Sequence, residues 1–351
     1  MELTPIRIPG KRRRKGEQPI VFDTIPRKEK GKGKSKKTKR QKIVKPRASY
    51  LERQLPLEIM ERIFWMSENV NFAKSGPRVG HLLSGESTRR ATFMQAFGHT
   101  WDVWFGCHRD NDTGIRSYHG WQEDPARFGG NPDFQSALLR YSWVDVSFIL
   151  DCMDAWVKRS ARNRFFQHQK LWGDSNSLRK LDDDPGGFGN FKSARQYFEH
   201  DYDAFCSKVH HDLPALNGHP SLIEIHPDTQ IPDNLLTGPW DEGATQKLFW
   251  LVRAGARLSA DQTWETTLEG YHKAIAGDSG FRDGDINLPV IRLILILGGN
   301  HWPQYVADSE LAKLQDKEET LRDRGQRDVY HKYACIATML LQRYSTSDSG
   351  M

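Results

Sequence analysis

Cysteine is scarce in this chain of 351 residues: four, at Cys107, Cys152, Cys206 and Cys335, with no Cys-x-x-Cys pair. That spacing excludes a clustered disulfide framework and a zinc-knuckle pattern, and favours free thiols in a reducing compartment. Long apolar runs are missing too. The longest, residues 288–297, is broken by Arg292 and is half of the ~20 residues needed to span a bilayer. The first residues lack a secretory apolar core, because Arg7 and the run from Lys11 to Lys15 are followed by more charge. A soluble protein of the nucleus and/or cytoplasm, with no membrane partner, is expected.

Charge is present but unevenly placed. The formal net charge is +6, yet residues 1–48 hold 18 Lys and Arg against 4 Asp and Glu, a net of +14. The remaining residues hold 33 against 41, a net of −8, so the pI near 9.0 describes the tail rather than the body. With few aromatics, residues 1–48 are predicted to be a disordered basic tail. Two clusters stand out there: Lys11, Arg12, Arg13, Arg14 and Lys15, and a second containing Lys36, Lys37, Lys39 and Arg40. Each reads as a nuclear-import signal that an importin would bind, and each would hold polyanions, including nucleic acid, non-specifically by counterion release.

Past the tail, Leu55-Pro56-Leu57-Glu58-Ile59-Met60-Glu61-Arg62-Ile63-Phe64-Trp65 predicts a helix. Pro56 suits the first helical position, and Glu58 complements the positive end of the helix in its first turn. Ile59 and Ile63 are four apart, as are Met60 and Phe64, which makes one wide apolar face with Glu58, Glu61 and Arg62 away from its centre.

This wording, with the segments Ser75-Gly76-Pro77-Arg78-Val79-Gly80 and Leu83-Ser84-Gly85-Glu86-Ser87-Thr88-Arg89, resembles a divergent F-box of the kind found in filamentous-fungal proteins. The F-box is the helical module that docks on the Skp-type adaptor of cullin-RING ubiquitin ligases. The resemblance covers residues 50–97; no Trp-x-x-Leu element follows in register. It implies that Leu55, Pro56, Ile59, Ile63 and Phe64 insert into the adaptor, and through it reach a cullin.

Further along, residues 91–107 continue as an aromatic-rich helix, and 108–132 read as a Gly/Asp/Asn-rich loop. A strong 3.6-residue period over 134–166, broken near Ser142, predicts two helices, and 193–209 a third with Tyr197, Tyr202 and Phe205 inward. The proline-rich residues 210–243 read as an extended connection. Beyond them a template recurs forty-three positions apart: Leu248, Leu251, Val252 and Gly255-Ala256 match Ile291, Ile294, Leu295 and Gly298-Gly299. Each copy predicts a helix ended by a left-handed glycine, and the ending resembles the second helix of an ankyrin repeat, whose period is ~33 residues. A terminal helix over 330–344 is expected to turn Tyr333, Ile336, Ala337, Leu340 and Leu341 inward, before a frayed tail at 345–351.

The expected fold class is therefore mostly α. A disordered basic tail (1–48) precedes an F-box-like helical module (49–107), the 108–132 loop, a helical body (133–209), the 210–243 connection and an ankyrin-like helical region (244–344).

Catalytic constellations are thin. His210, His211, His219 and His226 fall within seventeen residues, without the i, i+4 pairing or the acid and cysteine partners that a metal site needs. Cys107-His108 has no third group to orient it. Gly186-Gly187-Phe188-Gly189 lacks both a preceding strand and a Gly-Lys-Ser/Thr ending, and Asp182-Asp183-Asp184 reads as a solvated loop. No catalytic residue, no metal and no cofactor is expected. Most of the eleven tryptophans are expected to fill the core. The function implied by the resemblance is a non-catalytic substrate receptor that presents a protein for ubiquitination. The alternative is a nuclear scaffold or nucleic-acid-associated protein acting through its tail, which deletion of residues 1–48 would distinguish.

Overall fold

The computed structural model describes residues 54–105, 129–160, 193–207, 224–276, 286–298 and 301–345. Within them the apolar periodicity becomes twelve α-helices and no strand, so the chain is mostly α. The chain divides into two units, Met1–Arg47 and Ala48–Met351. The basic tail, with all nine of its singled-out Lys and Arg residues, lies outside the described residues, as do Cys107-His108, Gly186 to Gly189 and Asp182 to Asp184.

Three helices follow in quick succession: α1 (Leu57–Ser67), α2 (Pro77–Leu83) and α3 (Glu86–Phe105), with a 3-10 turn (Phe72–Lys74) between the first two. Gly76 is extended and Pro77 opens α2, the position where its missing N–H costs nothing. α3 buries an aromatic ridge: Phe93 stacks on Phe97 at 4.2 Å, and Trp101 meets Trp156 edge-on at 5.7 Å. Because Trp156 lies in α5 (Val146–Ser160), the first three helices share one core with the body.

The break near Ser142 falls between α4 (Pro132–Leu139) and α5. Asn131 caps α4 by accepting from the N–H groups of Asp133 and Phe134, and Lys247 donates to the carbonyls of Leu139 and Val144 at 2.8 and 2.5 Å. The turn between α4 and α5 carries a four-layer stack. The Lys74 amine lies over Tyr141, Tyr141 stacks on Trp143, and the Arg89 guanidinium lies over Trp143. Both rings belong to this turn, while Lys74 follows α1 and Arg89 lies in α3, so the stack ties the N-terminal helices to the body.

α6 (Ala194–Ser207) buries Tyr197, Tyr202 and Phe205, as its period requires. Residues 224–237, within the expected extended connection, are instead packed into the fold: Ile225, His226, Thr229 and Ile231 are buried, and a short helix α7 (Asp233–Thr237) follows. The prolines mask this segment's apolar content, because Pro232 sets the N-cap of a helix only five residues long. At its centre sits Gln135, fully buried. It donates to the Ala96 carbonyl and Thr100 Oγ1, and accepts from the His226 N–H and Thr229 Oγ1.

The C-terminal part is three helix pairs: α7 with α8 (Glu242–Arg253), α9 (Trp264–Ala276) with α10 (Leu288–Gly298), and α11 (Gln304–Asp323) with α12 (Arg327–Ser345). The second helices α8, α10 and α12 pack in a row, and α7 packs on α9. The two copies of the template face each other, with Leu248, Leu251, Ile291 and Ile294 fully buried. α8 ends as the template predicts: Gly255 is left-handed (φ 92°), and the Ala256 N–H reaches back to the Leu251 carbonyl. Gly298 differs. It is still helical, and its missing Cβ leaves room for Thr267, whose Oγ1 would lie 2.4 Å from one.

Candidate functional site

α1 carries one wide apolar face, and the two flanks of that face, about 100° apart, have different fates. Met60 and Phe64 point into the core, where the Phe64 ring stacks on Phe72 at 6.3 Å and meets Phe134 edge-on at 6.1 Å. The Glu61 carboxylate accepts from Thr88 Oγ1 at 2.6 Å, and Trp65 Nε1 donates to Thr92 Oγ1 at 3.0 Å. Both bonds fasten α1 to α3. At its end, Glu68 is left-handed (φ 46°) and donates its N–H to the Phe64 carbonyl, while its carboxylate accepts from Asn131 Nδ2 at 2.7 Å. α1 is thus pinned along its inner face and at its C-terminus.

On the outer face stand Ile59, Ile63 and Met66, 42%, 39% and 80% exposed. Their spacing of four and then three places them in one line, one helical turn apart. An apolar face this wide belongs against other elements, and here only its Met60 and Phe64 flank is covered. The other two exposed large apolar side chains among the described residues, Tyr305 and Leu341, are single residues on other helices; Leu341 was expected to face inward.

The five residues expected to form the docking face are therefore divided. Ile59 and Ile63 lie together on the exposed line. Leu55 is half-buried against the core, and Pro56 is exposed at the N-cap, one residue earlier than expected. Phe64, at 6% exposure, is a core residue and not part of the outer face. Positions 60 and 64 lie about 100° around the helix from 59 and 63, so one face cannot hold all four once the core takes the first pair. Met66 was missed, although it continues the same line three residues after Ile63.

Elsewhere the charged groups converge at the surface around Asp151, which pairs with Arg90 and Arg195 at 3.6 and 3.1 Å, and inside the fold. Arg253, Asp201 and Glu224 are almost fully buried, with Arg253 Nε 2.9 Å from Asp201 Oδ2 and the guanidinium 4.5 Å from the Tyr197 ring centre. Burial raises the Glu224 carboxyl above its ordinary range, partly opposed by Arg253 and by the bond from Trp250 Nε1. This cluster clamps α6, α8 and the 224–231 segment together and offers no opening to a substrate. Arg292 is also buried, under the Phe205 ring, donates to the Phe205 carbonyl at 3.2 Å, and is pulled down to about 10 by burial. His226, the only one of the four clustered histidines among the described residues, is buried, and its Nδ1 accepts the Asp228 N–H. Among the described residues no group of three or more His, Cys, Asp or Glu is placed to hold a metal ion, and no helix is long and apolar enough to cross a membrane.

No family model, no curated protein and no solved structure matches this chain.

Proposed function

We propose that the chain is an F-box-like substrate receptor that docks on a Skp-type adaptor through the outer face of α1. The observation that carries this reading is the uncovered line of Ile59, Ile63 and Met66 on a helix otherwise fixed to the core. It coincides with the segment whose wording resembles the F-box. Helix-in-groove docking uses anchors at this spacing on one side of a helix. Burying the exposed parts of these three side chains contributes on the order of 3–5 kcal/mol. That is too little for tight association alone, so polar neighbours such as Glu58 and Arg62 complete the contact.

On this reading the three helix pairs, two of which carry the template that resembles an ankyrin repeat, hold the substrate protein. Function then comes from proximity, by raising the local concentration of substrate lysines near the charged ubiquitin carrier. The tail would direct nuclear import. The test is co-purification of the full chain with the adaptor, wild type beside Ile59→Asp/Ile63→Asp. Both substitutions lie on the exposed face, so the variant stays folded. Loss of the adaptor from the variant alone supports the proposal; equal retention or equal absence in both sinks it.

A further inference from the structure

The docking line ends in a thioether, and its surroundings differ from those of every other described methionine. Met66 is 80% exposed, whereas Met60, Met153 and Met339 are at most 3% exposed and Met94 is packed against the core. Methionine is attacked by peroxides at sulfur, at a rate that follows access to the sulfur. The reaction needs only a peroxide. A sulfur lone pair takes the distal oxygen, the O–O bond breaks, sulfur is oxidised by two electrons to the sulfoxide, and the peroxide leaves as water.

The consequence follows from where Met66 stands. It is three residues beyond Ile63, on the same line, at the exposed end of a helix held rigid by Glu68 and Asn131. Converting its sulfur to a sulfoxide places a polar oxygen where a partner presents apolar surface, and removes the flexible apolar filler that methionine supplies at interfaces. The core is untouched, because the side chain contributes nothing to it. The change therefore acts on docking and not on folding.

We propose that Met66 is a reversible oxidation site that switches off docking through α1, an inference that rests on the docking reading above. The sulfoxide weakens binding about tenfold or more, the effect of burying one unpartnered polar group. Methionine sulfoxide reductase supplied with a dithiol restores it: the dithiol is oxidised by two electrons to a disulfide, and the sulfoxide oxygen leaves as water.

The experiment uses the full chain, hydrogen peroxide and the purified Skp-type adaptor. Peptide mapping during oxidation reads the order in which the methionines react, independently of any partner. Met66 reacts before Met94, Met153 and Met339. If it reacts with them or after them, the inference falls whatever the adaptor does. Adaptor affinity is then measured before peroxide, after it and after reductase, for wild type and Met66→Leu. The wild type loses about tenfold and recovers, while the ratio of treated to untreated affinity for Met66→Leu stays near one, whatever its starting value. An equal loss in Met66→Leu puts the sensitive residue elsewhere, and no loss in a wild type carrying the Met66 sulfoxide also overturns the switch. If untreated wild type does not bind the adaptor at all, the docking reading falls first and takes the switch with it.

Discussion

Replacing Gln135 by Met should be one of the most damaging single substitutions in this chain, although it keeps the volume and adds no charge. The glutamine amide is fully buried and makes four hydrogen bonds, two given and two received. Not all four losses count equally. Thr100 Oγ1 keeps its own bond to the Gly129 carbonyl at 2.9 Å, and Ala96 is inside α3. The His226 N–H and the Thr229 hydroxyl are the donors left without the acceptor, in a segment that is itself buried. Each orphaned donor costs about 1–3 kcal/mol, so the pair costs about 2–6 kcal/mol. Against a typical total of about 5–15 kcal/mol, that is enough to unfold a large fraction of the molecules near physiological temperature. Urea unfolding followed by tryptophan fluorescence measures it as a fall in the midpoint at constant slope. A second variant separates lost bonds from disturbed packing. Gln135→Met/Thr229→Val removes one orphan along with its acceptor, and should recover about 1 kcal/mol or more of the loss. A loss below about 1 kcal/mol in the single variant, or no recovery in the double, would refute the idea that hydrogen bonding by Gln135 holds residues 224–231 in the core.

Other outcomes follow from the same geometry. Gly270→Ala places a Cβ 1.9 Å from the Leu236 carbonyl oxygen, and should cost about 3 kcal/mol or more by forcing α9 from α7. Gly325→Ala meets nothing within 4 Å and carries only the strain of its left-handed φ of 69°, about 1 kcal/mol; thermal melts rank the two. Phe64→Asp should leave little folded protein by circular dichroism, since it removes a stacked core ring and buries a carboxylate, whereas Ile59→Asp should shift stability by less than about 1 kcal/mol. The Cys152 thiol is pushed up to about 12 by burial, from 9.0. The unfolded chain therefore releases this proton first, and stability falls as pH rises from about 9 towards 12, by about 2 kcal/mol near pH 10.5. Cys152→Ala should lack that part of the alkaline decline in urea midpoints taken at the two ends of the window. Lys247, lowered to about 8 by burial, adds an opposite slope that is common to both proteins and cancels.

Where one periodic signal dominates, the fold was legible from the residues. The break between α4 and α5, the buried side of α6 and the glycine cap at Gly255 all come from local rules that tertiary contacts leave in place. α11 had no such signal. Nine of its 20 residues are charged, and its buried positions Val306, Ala307, Glu310, Leu314 and Leu321 include a carboxylate and are too sparse to mark an apolar face. What holds it is the hairpin with α12, turned at Gly325, and the pairing of His272 with the buried Glu310 at 2.9 Å. The proline-rich connection was misjudged because burial there depends on Gln135, some ninety residues earlier in the chain. The candidate site was half legible. A period of 3.6 shows that α1 has one wide apolar face, but which flank of it the core claims depends on Phe72 and Phe134, which lie outside the helix.

Amide hydrogen exchange across the full chain, with and without purified Skp-type adaptor, tests the docking claim most directly. The account predicts that adding adaptor slows exchange within α1, in peptides covering Ile59 to Met66, and that Ile59→Asp/Ile63→Asp abolishes the slowing while the protection of α3 and α8 in the free protein is kept. Adaptor binding with α1 exchanging as before, or no binding by a wild type whose core is fully protected, would contradict it.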